Sequence, residues 1–231
     1  MNRRTSTALL LAFLMIFCTV CARAEGMNLL LIGADNTAQE PCCEAVMLAR
    51  VEPESADVRV MAFEGRLELK PSALADQLRE ITGVTADRSV TLPFSLLADL
   101  VDQLGGIGLD LTEEERLDVN RLLPAWEREI PSSGWQWLNG QQTLGFVRTG
   151  HEGHQLRVLS ALLQRASETS YWDLLALAVQ TMPLVETDLK LGDITGLLPM
   201  ITRLSELDLR TASMPLEPAY AAETQSFLYG K

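Results

Sequence analysis

Apolar runs and helical patterns alternate along this chain. Residues 27–32 form a continuous apolar run that leads to Asp35, which predicts a strand buried on both faces with an acid at its carboxyl end. Residues 45–51 and 58–63 are rich in β-forming side chains, and the polar turn between them contains Pro53, so they predict a β-hairpin. The sheet is therefore expected to be mixed rather than purely parallel.

Helical spacing dominates much of the remaining sequence. Over residues 72–81 and 93–104, apolar side chains recur on one face, and glycines follow the last turn of each segment. Further segments are predicted as helices over 154–167, 171–185 and 194–207, as a helix with an irregular excursion over 112–131, and as strands over 107–111, 144–148 and 209–214. Strands that alternate with helices are typical of an α/β, α-β-α layered fold with a central sheet.

The first 24 residues have the pattern of an export signal. Two arginines precede an almost unbroken apolar run over residues 8–20, and Ala22-Arg23-Ala24 places small residues where a signal peptidase cleaves. This run is shorter than the roughly 18–20 residues that cross the hydrocarbon core of a bilayer. We expect cleavage after Ala24, with an uncleaved membrane anchor as the alternative. The mature protein is then extracellular or held in the cell envelope.

Composition and charge narrow the classes of function. The chain has 47% hydrophobic and 22% charged residues, as ordinary globular proteins do. It carries 19 Lys and Arg against 31 Asp and Glu, a net charge of −12. Nucleic acids are held mainly by Lys and Arg on phosphates, so this acidic surface argues against binding nucleic acid. The sequence also lacks the G-x-S-x-G, P-loop, G-x-G-x-x-G and H-E-x-x-H motifs of common hydrolases, nucleotide-binding proteins and zinc proteases.

A set of five segments, taken in order, carries a more specific signal. They are the strand ending in Gly33-Ala34-Asp35, Cys42-Cys43-Glu44, VDQLGGI over 101–107, LNGQQTLGFVR over 138–148, and HQLRVL over 154–159. Their order and spacing resemble the LytR-CpsA-Psr family, the cell-envelope-related domain of Gram-positive walls. The resemblance covers a domain over 28–214, which follows the predicted signal peptide over 1–24 and leaves a C-terminal tail over 215–231.

The resemblance implies a fold, an activity and a set of partners. Members of this family move a glycopolymer from a polyprenyl-pyrophosphate carrier onto peptidoglycan. The resemblance therefore implies two partners, the lipid-linked glycopolymer and peptidoglycan, both of them substrates. It also implies that the protein lies near the membrane through its lipid substrate. The lipid tail lies in an apolar tunnel between the sheet and the helices, arginines hold the pyrophosphate, and two acids bind Mg²⁺. These side chains suit the chemistry because a departing pyrophosphate develops negative charge, which guanidinium groups and a hard cation stabilise.

Carried over position by position, the resemblance assigns a candidate site. Asp35 and Glu44 stand where the family has its two metal-binding acids, and Arg148 matches an arginine of the Val-Arg-x-Arg motif. The full assignment is Arg148 and Arg66 as catalytic residues, Arg148, Gln155, His151 and His154 as substrate-binding residues, and Asp35 and Glu44 as Mg²⁺ ligands. For Arg66 the alternative is that the family's arginine is lost at Gly65 and not displaced by one residue.

Several arginine positions of the family hold other residues in this chain. Cys42 and Gly150 replace two of them, and His151 and His154 stand in two more. Each charge-assisted contact to phosphate contributes about 1.5–3 kcal/mol, so losing three or four removes ~10³-fold or more in binding or rate. Two functions stay open: a Mg²⁺-dependent glycopolymer–peptidoglycan phosphotransferase, or ligase, and a non-catalytic module that binds polyprenyl phosphate or an envelope polymer. A further hypothesis is that Cys42 and the two histidines, with the carboxylates, bind Zn²⁺.

Overall fold

The computed structural model describes residues 26–35, 42–64, 71–150, 153–189 and 203–230. The strands in these ranges are β1 (Met27–Asp35), β2 (Cys42–Glu52), β3 (Asp57–Glu64), β4 (Arg88–Pro93), β5 (Ile107–Leu111), β6 (Gly134–Leu138), β7 (Glu186–Thr187) and β8 (Asp208–Pro215). The helices are α1 (Pro71–Thr82), α2 (Phe94–Gln103), α3 (Glu113–Leu122), α4 (Gly140–Arg148), α5 (His154–Ser167), α6 (Tyr171–Thr181) and α7 (Ala221–Tyr229).

Six of the strands form a mixed sheet in the order β7-β4-β1-β2-β3-β8. Strand β2 is antiparallel to both β1 and β3, whereas β4 runs parallel to β1 and β8 runs parallel to β3. Strands β5 and β6 form a separate antiparallel pair. The mixed central sheet and the hairpin expected from the sequence are confirmed.

The sheet is covered on both faces, which makes three layers. On one face, Leu30 and Leu48 pack in a cluster with Leu78 of α1 and Leu228 of α7. On the other face, residues of β1, β2 and β3 pack in a cluster with Leu156 of α5. Because neighbouring residues of a strand point to opposite faces, a continuous apolar run such as β1 supplies both clusters.

A third apolar cluster lies among the helices beside the sheet. It joins Val101 of α2, Val119 of α3 and Phe146 of α4 to Ile107 and Leu138 of the β5-β6 pair. The small sheet therefore covers one side of the helical layer, and its other surface faces solvent.

Helix α4 corrects the prediction of a strand over 144–148. The Asn139 side chain accepts the backbone N–H of Gln142 at 2.9 Å, and the Gln142 side chain accepts the backbone N–H of Asn139 at 3.1 Å. This reciprocal capping box satisfies backbone N–H groups that a first helical turn leaves without partners. The helix therefore begins at Gly140, and the β-forming residues that follow are carried within it.

Other element boundaries differ from the sequence expectations in smaller ways. Helix α2 begins after Pro93, and positive φ angles at Gly105 and Gly106 end it, as the pattern predicted. The helix expected over 171–185 ends at Thr181 and continues as a 3₁₀ turn. Most of the helix expected over 194–207 lies outside the described residues, and 204–206 form a 3₁₀ turn. Strands β4, β6 and β7 were not predicted.

Helix α7 lies within the segment that the sequence analysis treated as a tail. The Leu228 side chain is 1% exposed in the cluster against β1 and β2. The Asn28 side-chain amide donates to the Tyr229 hydroxyl at 3.0 Å, and the Arg59 guanidinium donates to the Leu228 carbonyl at 3.3 Å. These contacts make the C-terminal helix part of the outer layer of the fold.

Replacing Leu228→Ala is therefore expected to lower the free energy of unfolding by about 2–4 kcal/mol, since a buried leucine leaves a cavity when it is truncated. Urea denaturation of the purified protein measures this difference. Glu223→Ala, at an exposed position of the same helix, is the matched control and should change the value by less than about 0.5 kcal/mol. A Leu228→Ala variant as stable as the control would show that α7 does not support the sheet.

Candidate functional site

An apolar cavity of ≈ 180 Å³ lies between the central sheet and the helical layer. The sheet contributes Leu31 and Met47, and the helices contribute Leu97 of α2, Val147 of α4 and Leu162 of α5. Several of these side chains are only half-buried. The cavity therefore offers apolar surface that a hydrocarbon ligand would remove from water.

Gln155 lines this cavity, and Arg148 lies against Phe94 of the cavity wall. Arg148 is the last residue of α4, directly after Val147, and its guanidinium carbon lies 5.7 Å from the ring centroid of Phe94. Phe94 and Gln155 both line the cavity, and Gln155 is the polar side chain in its wall. A cation and an amide thus stand next to an otherwise apolar surface, which is the arrangement that an anionic head on an apolar tail requires.

The backbone places Asp35 and Glu44 at the same end of the sheet. Asp35 ends β1 next to Ala34, and Ala34 pairs with Pro93 of the parallel strand β4, directly before α2. Gly33 pairs with Ala45 but Ala34 pairs with Cys43, so Glu44 is the extra residue of a β-bulge. Bulges are common beside active sites, where they redirect a strand and its side chains.

Gly33 fits Phe94 closely at this end of the sheet. A Cβ atom added to Gly33 would lie 2.8 Å from a ring carbon of Phe94 and 2.9 Å from the Ala45 side chain. Glycine is therefore required for the Phe94 ring to lie against β1. The same ring contacts Arg148, so this glycine helps to fix the edge of the cavity.

Other predicted site residues fall outside what the structure describes. Arg66 and His151 lie outside the described residues, as do the side chains of Asp35, Cys42 and Glu44. Within the described part of the chain, no group of three or more His, Cys, Asp or Glu side chains is arranged to hold a metal ion. The Zn²⁺ hypothesis stays a hypothesis for Cys42 and His151.

His154 occupies a place different from the one the sequence analysis gave it. Its ring is 2% exposed and stacks on Phe146 with a centroid distance of 3.8 Å. Nε2 lies 2.8 Å from a carboxylate oxygen of Glu115, and Nδ1 lies 2.9 Å from the Thr149 hydroxyl and 3.0 Å from the Phe146 carbonyl. Both ring nitrogens are engaged inside the protein, so this geometry corrects the assignment of His154 to substrate or metal.

Glu115 is the centre of this buried cluster. Its carboxylate accepts the backbone N–H of Thr112 at 2.8 Å, closes a capping box at the start of α3, and pairs with His154 and Arg157 of α5. Burial raises the pKa of Glu115, but the hydrogen bonds from Thr112, Arg157 and His154 outweigh it and lower the pKa to about 2. Burial lowers the pKa of His154, against the opposite effects of Glu115 and the Phe146 carbonyl.

The ion pairs of Glu115 with His154 and Arg157 were not predicted from the sequence. The sequence does contain one indication of the role of Glu115, because Thr112 and Glu115 have the spacing of a capping box. The pairing across 39 and 42 residues with His154 and Arg157 had no local signal.

Both pKa shifts predict a loss of stability in acid. A carboxyl group whose pKa falls from 4.5 to about 2 on folding stabilises the fold above pH 4.5, and this is lost as the pH falls towards 2. The size is about 3 kcal/mol, at 1.36 kcal/mol per pKa unit. The lowered pKa of His154 acts in the same direction below its ordinary value of 6.5.

Glu115→Gln is expected to lower the free energy of unfolding at neutral pH by ~3 kcal/mol and to flatten its decline between pH 4.5 and 2. Chemical denaturation over a pH series measures both quantities. Glu114→Gln changes the exposed neighbour on the same helix and should leave the pH profile as in the unmodified protein. Equal profiles for both variants would contradict a central role of Glu115.

The fold and the cavity together define an α/β protein with an apolar cavity between a mixed sheet and its helices. The sequence model of the LytR_cpsA_psr family matches residues 70–230, and the chain belongs to this family. The match begins after Asp35, Glu44 and Arg66, whose assignments depend on the resemblance of the preceding segments. No match is found among curated protein sequences.

Solved structures of this family share the fold. A structure described as TagT bound to LIIa-WTA has a TM-score of 0.69 and 16% identity, covering 89% of this chain and 90% of that one. YwtF (TagT), a LytR-CPS2A-psr family protein solved with bound octaprenyl pyrophosphate lipid, has a TM-score of 0.66, 16% identity and the same coverage. The protein gbs0355 from Streptococcus agalactiae has a TM-score of 0.69 and 14% identity, covering 84% of this chain and 79% of that one. At these identities the likeness shows the fold.

Among the described residues, none of the helices combines the length and the apolar character needed to cross a membrane.

Proposed function

We propose that this protein acts outside the cytoplasmic membrane in building the cell envelope. It binds a polyprenyl-pyrophosphate-linked glycopolymer and transfers the glycopolymer to peptidoglycan. The observation that carries this proposal is the apolar cavity with Arg148 at its edge, in a fold shared with a protein solved with octaprenyl pyrophosphate. In this proposal the prenyl chain lies along Leu31, Met47 and Leu162, and its charged head lies next to Arg148.

Arg148 is suited to holding the pyrophosphate. A guanidinium group presents several N–H donors in one plane and stays charged at every physiological pH. The guanidinium carbon lies 5.7 Å from the Phe94 ring centroid, a cation–π distance that holds the charge beside the wall of the apolar cavity. Gln155 provides an amide to the same head group. Arg66 is proposed as a second catalytic arginine on the strength of the family resemblance alone.

Asp35 and Glu44 are proposed as Mg²⁺ ligands. Their residue types fit, because carboxylate oxygens are the ligands that Mg²⁺ takes, commonly one or two together with substrate phosphates and water. Their backbone positions fit as well, since both lie at the end of the β1-β2 ladder next to the start of α2. A bound Mg²⁺ would neutralise charge on the pyrophosphate.

A non-catalytic binding module is the second candidate function, and the position of His154 favours it. This histidine stands where relatives have an arginine, yet its side chain is committed to Glu115 and Phe146 and adds no cation to the cavity. With Cys42 and Gly150 also replacing arginines, the site holds fewer phosphate-binding groups. Such a module binds the lipid carrier and leaves the glycopolymer attached.

Arg148→Ala is expected to weaken binding of a short-chain polyprenyl pyrophosphate by about 10- to 100-fold, the loss of one charge-assisted contact. Calorimetric titration with and without Mg²⁺ measures the dissociation constant. Arg121→Ala removes an exposed arginine paired with Asp118 on α3 and is the matched control. Binding that is equally strong in both variants would remove Arg148 from the site. Binding without transfer of a labelled glycopolymer to peptidoglycan would select the non-catalytic module.

Leu162→Trp is expected to weaken the same binding at least about tenfold by filling the apolar cavity, since each buried CH₂ of a ligand contributes about 0.8 kcal/mol. The titration is repeated with inorganic pyrophosphate, whose binding should not change because it has no apolar tail. Leu117→Trp, at an exposed position of α3, controls for the added indole. A Leu162→Trp variant that binds the lipid normally would place the prenyl chain elsewhere.

A further inference from the structure

All four tryptophans of this chain are more than half exposed. Trp135 and Trp137, at 64% and 52%, are two residues apart in β6 and therefore lie on one face of the β5-β6 pair. Tryptophan has the largest apolar surface of any side chain, and leaving it in water forgoes a large gain from burial. Two exposed indoles side by side on a strand mark a binding surface.

Glycines of the partner strand let these indoles lie close to the backbone. A Cβ atom added to Gly108 would overlap the Trp135 ring, and one added to Gly106 would lie 2.5 Å from Nε1 of Trp137. Residues two apart on a strand are about 6.6–7 Å apart, so the two rings form one continuous aromatic surface. We define Trp135 and Trp137 as the aromatic face.

Trp137 is held in place before any ligand arrives. Its Nε1–H donates to the Gly105 carbonyl at 2.7 Å, and the Arg165 guanidinium carbon lies 5.4 Å from its ring centroid. Arg165 is itself anchored, because its Nε–H donates to the Leu104 carbonyl at 2.8 Å. A fixed aromatic side chain loses little conformational entropy when it binds, which favours recognition.

A polar cavity of ≈ 520 Å³ adjoins the aromatic face, within the range of small-ligand sites. Trp137 lines it together with Asp102, Arg128, Gln136 and Asn139. Asn139 is committed to the cap of α4 and to Glu127. In the described part of the chain, no hydrogen bond or ion pair of the Arg128 guanidinium is found. The wall therefore combines an indole with charged and amide groups able to bond a ligand.

This combination selects a sugar over other ligands. A pyranose ring has a flat C–H face that packs on an indole and an edge of hydroxyl groups that donate to carboxylates and accept from guanidinium. An aliphatic chain or an apolar protein surface would leave the polar wall without partners. An anionic bilayer or polymer is disfavoured by two acids, because Asp110 pairs with Trp135 across the β5-β6 ladder and Glu129 lines the polar cavity.

We propose that the aromatic face and the adjoining polar cavity bind a neutral glycan chain, with its sugar rings against Trp135 and Trp137. The site lies at the N-terminal end of α4, whereas Arg148 lies at the C-terminal end, and a nine-residue helix is about 13 Å long. It is therefore separate from the prenyl cavity and does not depend on the function proposed for that cavity.

The test is calorimetric titration of the protein with neutral tetrasaccharides, one of N-acetylglucosamine and one of glucose. Saturable binding of at least one of them is expected, with Trp137→Ala at least about tenfold weaker, a loss of about 1.4 kcal/mol, because the substitution removes the indole face on which a sugar ring packs. Trp172→Ala removes a more exposed tryptophan, on α6 and outside the aromatic face, and should bind as the unmodified protein does. Trp137→Phe keeps an aromatic ring and should retain part of the affinity.

Several results would overturn the proposal. They are no saturable binding of either sugar at millimolar concentration, unchanged binding by Trp137→Ala, or equal loss in Trp172→Ala. Binding to vesicles of phosphatidylglycerol that needs the aromatic face, without sugar binding, would assign the face to a membrane instead. Trp135→Ala repeats the test if Trp137→Ala does not fold. The same variants should bind polyprenyl pyrophosphate normally, so failure here is distinguishable from failure of the prenyl site.

Discussion

The geometry of the candidate site depends on one carboxylate, that of Glu115. It accepts hydrogen bonds from its own helix cap at Thr112 and from His154 and Arg157 of α5, which ties α3 to α5 across the helical layer. Phe146 of α4 stacks on His154 and lies under Arg157, so α4 is fixed by the same group. The connection from α4 to α5 is therefore anchored on both sides. A largely buried charge with several partners favours one arrangement, because other arrangements separate it from those partners at a cost.

The parts of this fold that could be predicted are those in which local pattern and tertiary packing agree. Strand β1 is an apolar run because both of its faces are covered. The β2-β3 hairpin joins two runs of β-forming side chains through a polar turn. Helix α4 shows the opposite case. Its sequence from 144 to 148 favours a strand, but the capping box at Asn139 and burial of Phe146 among three helices favour a helix. Propensity is a weak preference that such tertiary contacts override.

The predicted site residues on α4 and α5 differ in where their side chains lie. Gln155 lines the apolar cavity, and Arg148 lies against Phe94 of the cavity wall. His154 begins the same helix as Gln155, yet its side chain points to Glu115 and not to the cavity. The sequence position of His154 predicts where its backbone lies in the fold. The direction of its side chain depends on Glu115, a partner 39 residues away. Family resemblance alone does not show this partner.

Helix α4 also sets how the two ends of the helical layer relate to each other. At its start, the Gly140 N–H donates to Asp102 at 2.7 Å, and the absence of a side chain at Gly140 lets the helix approach the Ala98 backbone. At its end, the stacked pair Phe146 and His154 holds it to α5. These contacts hold both ends of this short helix in place. The aromatic face and Arg148 therefore lie towards opposite ends of α4, and a ligand chain that engages both must be long enough to span its nine residues.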